Sequence, residues 1–109
     1  MMRRGDLVSV AIPGDYGKPR PALVVQSDRI RAIDSVTVSP FTTEFIEDGD
    51  DLRVEITPSE ANRLRQTSYI MIDKIGTIRR TKCGPGIGHL SDQDMDRVNR
   101  ALAVFLGFA

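Results

Sequence analysis

Apolar and polar residues alternate in short runs over most of the chain, a pattern typical of β-strands. The first run is Gly5 to Ile12, and the second, Ala22 to Gln26, is apolar enough to be buried on both faces of a sheet. The segment between them, Pro13 to Pro19, is rich in glycine and proline. We therefore predict a hairpin of two strands joined by a seven-residue loop.

Further short runs predict the rest of the sheet. A third strand begins at Ser35 and continues to Thr42, and Pro40 within it indicates a bulge, a strand end or an edge position. Three later strands are predicted at Leu52 to Ile56, Tyr69 to Ile72 and Ile75 to Ile78.

Two segments carry helix-start signals. Thr57-Pro58-Ser59-Glu60 has a hydroxyl cap, a proline and a glutamate in helix-start order, which predicts a short helix ending near Gln66. A second capping signal at Ser91 opens the final helix. In that helix one apolar stripe recurs at helical spacing and is typical of core, namely Met95, Val98, Leu102, Phe105 and Leu106. The glycine-rich segment Cys83 to Gly88 is predicted to be a loop.

The composition is that of one ordinary globular domain spanning residues 1–109. Of the 109 residues, 40% are hydrophobic and 28% charged. No apolar run is long enough to cross a bilayer, and the N-terminus lacks the apolar core of a signal peptide. We therefore expect a cytoplasmic protein with no membrane partner. Short strands with a small insert helix and a terminal helix predict a barrel-like α+β domain.

The chain has few residues suited to metal or thiol chemistry. Its one cysteine, Cys83, and one histidine, His89, exclude an internal disulfide and make a catalytic zinc site improbable. A Cys83–His89 nucleophile pair is disfavoured because no third group is evident to orient it. Glycine-rich phosphate loops and nucleophile elbows are absent from the sequence as well. We therefore expect no metal and no cofactor.

Arg20 is the residue best placed for chemistry. It stands between Pro19 and Pro21 at the start of the second apolar run. Because proline fixes φ, the backbone on both sides of Arg20 is stiff, and a guanidinium held in this way is a preorganised anion contact. The alternative is a surface arginine that happens to follow a loop. Chemistry based on arginine, hydroxyls and backbone donors suits phosphoryl-type reactions, in which positioning and charge stabilisation supply most of the effect.

Charge is unevenly distributed, although the formal net charge is zero. Carboxylates dominate residues 44–60, whereas basic residues gather around Arg20 and again at Lys74 to Lys82. A neutral protein with a basic face still binds a polyanion locally, because only charges within about 8 Å act strongly. The alternative is that these charges simply keep the surface solvated.

The motifs together resemble the MazF/PemK family of toxins from bacterial toxin–antitoxin pairs. The resemblance rests on Arg3-Arg4-Gly5-Asp6-Leu7-Val8, Arg20-Pro21-Ala22-Leu23-Val24-Val25, a threonine ending the third strand and Ile75-Gly76-Thr77-Ile78. It covers nearly the whole chain. It implies a small SH3-like β-barrel of five to seven short, mostly antiparallel strands, with a short insert helix and a C-terminal helix.

The resemblance also implies a reaction. Such toxins cleave single-stranded RNA without metal, leaving a 2′,3′-cyclic phosphate and a 5′-OH. In this sequence the family's catalytic arginine corresponds to Arg20 and its threonine to Thr42, with Thr43 as the alternative if the alignment slips by one residue. By this resemblance Arg20 takes part in proton transfer and stabilises the charge on the scissile phosphate, and Thr42 hydrogen-bonds that phosphate. Because a free guanidinium stays protonated, the charge-stabilising role of Arg20 is favoured over its role in proton transfer.

The loop before Arg20 departs from the family pattern. It is shorter here, and Asp15-Tyr16-Gly17-Lys18 replaces the family's glutamate-bearing segment, so the RNA sequence preference does not carry over. Asp15 is a candidate replacement for the acidic residue and Tyr16 a candidate platform for stacking a base, against the alternative that both are ordinary turn residues. The full set of RNA-contact candidates is Asp15, Tyr16, Lys18, Thr43, Arg79 and Arg80.

Partners follow from the same resemblance. We expect a homodimer, inhibited by an antitoxin whose acidic, partly disordered tail contacts Lys18, Arg20, Arg79 and Arg80.

Two alternative functions stay open at this point. One is a CcdB-like toxin that poisons DNA gyrase through the end of its terminal helix, suggested by the ending Phe105-Leu106-Gly107-Phe108-Ala109, which lacks the tryptophan of that relative. The other is a catalytically inactive member that only binds RNA or its antitoxin.

Overall fold

The described part of the chain folds into a seven-stranded sheet with one α-helix. The computed structural model describes residues 2–11, 18–47 and 52–109. The helix α1 spans Asp92–Leu106. The strands are β1 (Asp6–Ala11), β2 (Pro19–Val24), β3 (Ser35–Thr42), β4 (Arg53–Ile56), β5 (Ser68–Met71), β6 (Gly76–Arg79) and β7 (Cys83–His89).

All strand pairings are antiparallel, and the strand order is β4-β5-β3-β2-β1-β7, with β6 also paired to β3. The predicted pairing of the first two strands is confirmed, because β1 and β2 pair directly. Residues 13–17 of the predicted loop lie outside the described residues, and Pro19 belongs to β2. Within the described residues β4 and β7 are the two ends of this order, so the barrel is not closed. This is the predicted barrel-like α+β architecture, with one predicted element missing.

Apolar side chains pack on both faces of the central strands. On one face, Leu7 and Leu23 pack with Val98 and Leu102 of α1. On the other face, Val8, Val10 and their neighbours on β2 and β3 form a second cluster. Burial of β2 on both faces, predicted from its uninterrupted apolar run, is confirmed by Ala22, Leu23 and Val24, which are at most 3% exposed. The second half of β2 is thus anchored in the core directly after Arg20 and Pro21.

Pro40 lies inside β3, where the strand changes partner. On one edge, β3 pairs with β6 up to Val38 and with β5 from Phe41 onwards. The proline, which has no N–H to donate, therefore lies in the gap between two ladders. On the other edge it stands opposite Ala22 of β2. The buried Ser39 donates to the Met71 carbonyl at 2.8 Å and joins β3 to the end of β5.

The predicted short helix from Thr57 to Gln66 is wrong. The segment instead makes a single tight turn at Glu60 to Asn62. The Asn62 side chain bonds the backbone on both sides of the turn, and Arg63 has φ +57°, which ends any right-handed helix. The two short helical turns that do form are 3₁₀ turns at Ile72–Lys74 and Arg80–Lys82.

The predicted loop at Cys83 to Gly88 is also wrong, because these residues belong to β7. This strand pairs with β1 through two register irregularities. A side chain at Gly84 would lie 3.2 Å from the Ser9 carbonyl oxygen, so glycine here marks a close approach of two backbones.

The last helix begins as predicted and is less buried than predicted. Ser91 caps it, its hydroxyl accepting the Asp94 N–H at 3.1 Å. Val98 and Leu102 are buried, whereas Phe105 and Leu106 are 41% and 52% exposed. The end of the stripe thus contributes to the protein surface. In the described part of the chain, no helix has the length and apolar content to cross a membrane.

Candidate functional site

An open cleft of about 380 Å³ lies where β2 begins and β3 ends. It is lined by Arg20 and Pro21 of β2, by Phe41, Thr42 and Thr43 at the end of β3, and by residues 63–66, Ser68 and Ile87. Three arginines, Arg20, Arg63 and Arg65, line the cleft, and the described residues that line it include no carboxylate. Three guanidiniums on an apolar floor favour an anionic ligand with flat apolar groups.

Arg20 and Thr42 come together because of the β2–β3 register. Ala22 stands opposite Pro40 and Leu23 opposite Ser39. When this register is continued by two residues beyond the last paired positions, Arg20 is level with Thr42 and on the same face of the sheet. Both residues line the cleft, and both are half-buried. The sequence-based pairing of Arg20 with a threonine at the end of the third strand therefore has a geometric basis.

The Thr42 hydroxyl is positioned with its proton available for donation. Its Oγ1 atom accepts the Glu44 N–H at 3.1 Å. A hydroxyl has one donor and two acceptor sites, so this bond fixes the oxygen without using the proton. Thr42 also pairs with Tyr69 of β5, whereas Thr43 lies beyond the strand and is exposed. Of the two threonines, Thr42 is the more firmly held.

Arg79 and Arg80 lie at the other end of β3. Arg79 stands opposite Ser35, which is seven residues from Thr42 and therefore about 23 Å away along the strand. Arg80 donates from Nε to the Ile33 carbonyl at 3.0 Å and from its backbone N–H to the Asp34 carbonyl at 2.7 Å. The structure thus does not bring these two predicted RNA contacts to the cleft.

The other predicted contacts are in or near the loop before β2. Lys18 is exposed and directly precedes β2, two residues from Arg20. Asp15 and Tyr16 lie outside the described residues.

Arg63 and Arg65 are cleft residues that the sequence did not single out. Their segment carries a helix-start signal, and in a helix residues 63 and 65 point in different directions. The segment that follows the tight turn brings both to the lining of one cleft. The available signal was the alternation of basic and apolar residues in Arg63-Leu64-Arg65, which is typical of an extended segment with one apolar side.

Cys83 and His89 stand at opposite ends of β7, opposite Val10 and Asp6 of β1 respectively. These partners are four residues apart on β1, which puts Cys83 and His89 about 13 Å apart along the strand and rules out a nucleophile pair. Partial burial raises the pKa of the Cys83 thiol, with Arg80 acting in the opposite direction as the smaller effect. The thiol is thus a poor nucleophile at neutral pH. Among the described residues, no three His, Cys, Asp or Glu side chains are grouped to hold a metal ion.

Comparisons with known proteins show which family the chain belongs to. Residues 3–106 match the sequence model of the PemK-like, MazF-like toxins of type II toxin–antitoxin systems. The chain belongs to this family. A relative from Mycolicibacterium smegmatis, a probable endoribonuclease MazF, is 49% identical over 109 residues, which are 99% of each chain. The endoribonuclease MazF of Staphylococcus saprophyticus is 30% identical over 98% of this chain and 92% of its own.

Solved structures of MazF-like proteins share the fold. An endoribonuclease from a mycobacterial species, solved with its cognate antitoxin, superposes with a TM-score of 0.83 at 25% identity, over 100% of this chain and 98% of the other. A MazE–MazF complex from Deinococcus radiodurans superposes with a TM-score of 0.77 at 18% identity, over 97% and 96% of the two chains. The second likeness concerns the fold alone.

Proposed function

We propose that this chain is the toxin of a type II toxin–antitoxin pair and cleaves single-stranded RNA. The observation that carries the proposal is the pairing of Arg20 with Thr42 in one arginine-lined cleft. Family membership and a relative at 49% identity with the name of an endoribonuclease support it. Because its substrate is cellular RNA, we place its action in the cytoplasm.

The proposed reaction uses the RNA's own nucleophile. The 2′-oxygen attacks the adjacent phosphorus, forming the O2′–P bond of a 2′,3′-cyclic phosphate, while the P–O5′ bond breaks. The 2′-OH loses a proton and the departing 5′-oxygen gains one. No metal is required in this scheme, because the protein only has to position the phosphate and stabilise the charge that builds up on it.

Arg20 and Thr42 divide this task. The guanidinium of Arg20, held by the start of β2, donates to the non-bridging phosphate oxygens. The Thr42 hydroxyl, whose oxygen already accepts the Glu44 N–H, donates its proton to the same phosphate. Both groups are in place before the substrate arrives, which lowers the reorganisation needed in the transition state.

The antitoxin competes for the same positive charge. An acidic, partly disordered tail lying in the cleft opposite Arg20 excludes RNA by occupying its phosphate positions. The mycobacterial relative was solved with its cognate antitoxin, which supports an antitoxin as the partner of this chain. The alternative of a CcdB-like gyrase poison is not favoured, since the matching family and the relatives above are MazF-like.

We also propose a homodimer. The end of α1 and the residues after it expose large apolar side chains, with Val104, Leu106 and Phe108 at 48%, 52% and 81% exposed. An apolar surface of this kind is typically covered by a second subunit. Light scattering at micromolar concentration is expected to give twice the mass of the 12.1 kDa chain, and a monomeric mass would contradict the proposal.

The function is tested by incubating the purified protein with a panel of single-stranded RNAs in EDTA. We expect cleavage in EDTA, with products that carry 5′-OH and 2′,3′-cyclic phosphate ends. Adding Mg²⁺ should not increase the rate of cleavage. RNA that stays intact under all conditions, or cleavage only with added metal, would overturn the proposal.

A further inference from the structure

The cleft contains more positive charge than one phosphate requires. A scissile phosphodiester carries a single negative charge, and Arg20 with Thr42 already satisfies it. Arg63 and Arg65 add two guanidiniums to the lining of the same cleft, 43 and 45 positions later in the chain than Arg20. An RNA strand supplies further negative charges at regular spacing along its backbone.

The turn at Glu60 to Asn62, which directly precedes these arginines, is held by a buried asparagine. Asn62 is only 2% exposed. Its Oδ1 atom accepts the N–H groups of Ser59 and Leu64, both at 2.9 Å, and its Nδ2 donates to the Thr57 carbonyl at 2.9 Å. A side chain with all these bonds satisfied in the interior fixes one backbone conformation from Thr57 to Leu64.

The turn is also docked against β7. The His89 N–H donates to the Ala61 carbonyl at 3.0 Å. A Cβ atom on Gly88 would lie 2.3 Å from the Ala61 carbonyl oxygen and 2.8 Å from Asn62 backbone atoms. Only glycine at this position lets the turn come this close to the sheet. Leu64, directly after the turn, packs on the main core cluster.

Arg63 has a backbone conformation that arginine seldom adopts. Its φ is +57°, in the left-handed region that favours glycine or asparagine. Having arginine at this position therefore costs conformational free energy, because a glycine would adopt this backbone conformation more readily. Strain of this kind is typical of residues with a function.

We propose that Arg63 and Arg65 bind the RNA phosphates that flank the scissile one, and that Asn62 and Gly88 position the turn that presents them. The inference rests on the proposed function and adds to it a second phosphate-binding wall. It predicts that the two arginines act mainly on substrate binding, whereas Arg20 and Thr42 act on the chemical step.

The arginines are tested by the double variant Arg63→Gln/Arg65→Gln. We expect KM for an RNA longer than the cleft to rise about tenfold or more, since contacts to charged groups are lost, with kcat within about threefold. The slope of log KM against log salt should fall by about 0.7 for each phosphate contact removed from a single strand. Arg29→Gln, which removes one exposed arginine in the connection before β3, controls for loss of positive charge outside the cleft and should change neither quantity.

Substrate length gives a readout that a purely structural role would not change. On a dinucleotide, which has only the scissile phosphate, the double variant should perform like the wild type. An equal loss on both substrates, or an unchanged salt slope on the longer RNA, would overturn the inference. If the wild type cleaves no RNA, or Arg20→Ala cleaves as well as the wild type, the proposed function itself fails instead.

The positioning role has a matched pair of variants on one strand. Gly88→Ala introduces the clash with the turn and should raise KM as the double variant does. Gly86→Ala has nothing within 4 Å of the added carbon and should leave KM unchanged. Equal KM values for the two variants would contradict the positioning role.

If Gly88→Ala does not fold, the variant Arg63→Gly tests the role of Arg63 in RNA binding instead. It removes the guanidinium while relieving the positive φ, so the urea midpoint should hold or rise while KM for the longer RNA rises. A KM unchanged in this variant would overturn the role of Arg63.

Discussion

Replacing Arg20 with alanine is expected to lower kcat for RNA cleavage by about a hundred- to a thousandfold. This is the loss observed when one preorganised donor to a developing negative charge is removed from an active site. Arg20 is held at the start of β2 and lines the cleft with Thr42, so no neighbouring guanidinium on β2 or β3 can take its place there. Single-turnover cleavage with saturating protein measures the effect on the chemical step.

The controls for this variant separate charge, geometry and folding. Arg20→Lys keeps the positive charge and loses the two-pronged donor geometry, so we expect activity between that of the wild type and that of Arg20→Ala. Arg29→Ala removes an exposed arginine outside the cleft and should cleave like the wild type. Urea midpoints show whether each variant is folded at the assay temperature. Full activity in folded Arg20→Ala would place the chemistry elsewhere.

Replacing Thr42 with valine is expected to lower kcat by about ten- to a hundredfold. Valine keeps the β-branched shape and removes only the hydroxyl, which is proposed to donate to the scissile phosphate. The effect should be smaller than at Arg20, because a neutral donor stabilises developing charge less than a guanidinium does. Some local loosening is also expected, since the Glu44 N–H loses its acceptor at 3.1 Å.

Comparison of Thr42 with Thr43 resolves the alignment ambiguity at the end of β3. When the β2–β3 register is continued past Ala22 and Pro40, Thr42 and not Thr43 is on the same face as Arg20, so Thr43→Val should lose much less activity than Thr42→Val. Thr42→Ser keeps the hydroxyl and should recover most of the rate. A larger loss at Thr43 than at Thr42 would show that the register argument selects the wrong residue.

The sequence predicted the parts of the fold that depend on alternation and local capping. The two-sided burial of β2 follows from an uninterrupted apolar run, and the start of α1 follows from the cap at Ser91. The pairing of Arg20 with a threonine at the end of the third strand followed from the family pattern, and the register supplies its geometric reason.

The errors arose where tertiary contacts overrode local signals. The capping pattern at Thr57 to Glu60 favours a helix, but the buried Asn62 side chain bonds the backbone instead and sets a turn. The glycines of β7 resemble a loop in sequence, whereas they permit close approach to β1 and to the turn at Asn62. Both errors concern segments that contact each other, residues 57–66 and β7. The sequence therefore did not predict that Arg63 and Arg65 line the cleft. No local pattern encodes a contact between residues 62 and 88.

The central claim is that the RNA's 2′-OH is the nucleophile and the Arg20–Thr42 pair stabilises its reaction at the phosphate. It is tested most directly in EDTA with an RNA that is cleaved at one bond and a matched RNA carrying a single 2′-deoxy sugar on the 5′ side of that bond. We predict that the all-RNA substrate is cleaved to a 2′,3′-cyclic phosphate and that the deoxy substrate binds equally well and stays intact at that bond. Cleavage of the deoxy substrate at the same bond would contradict the account.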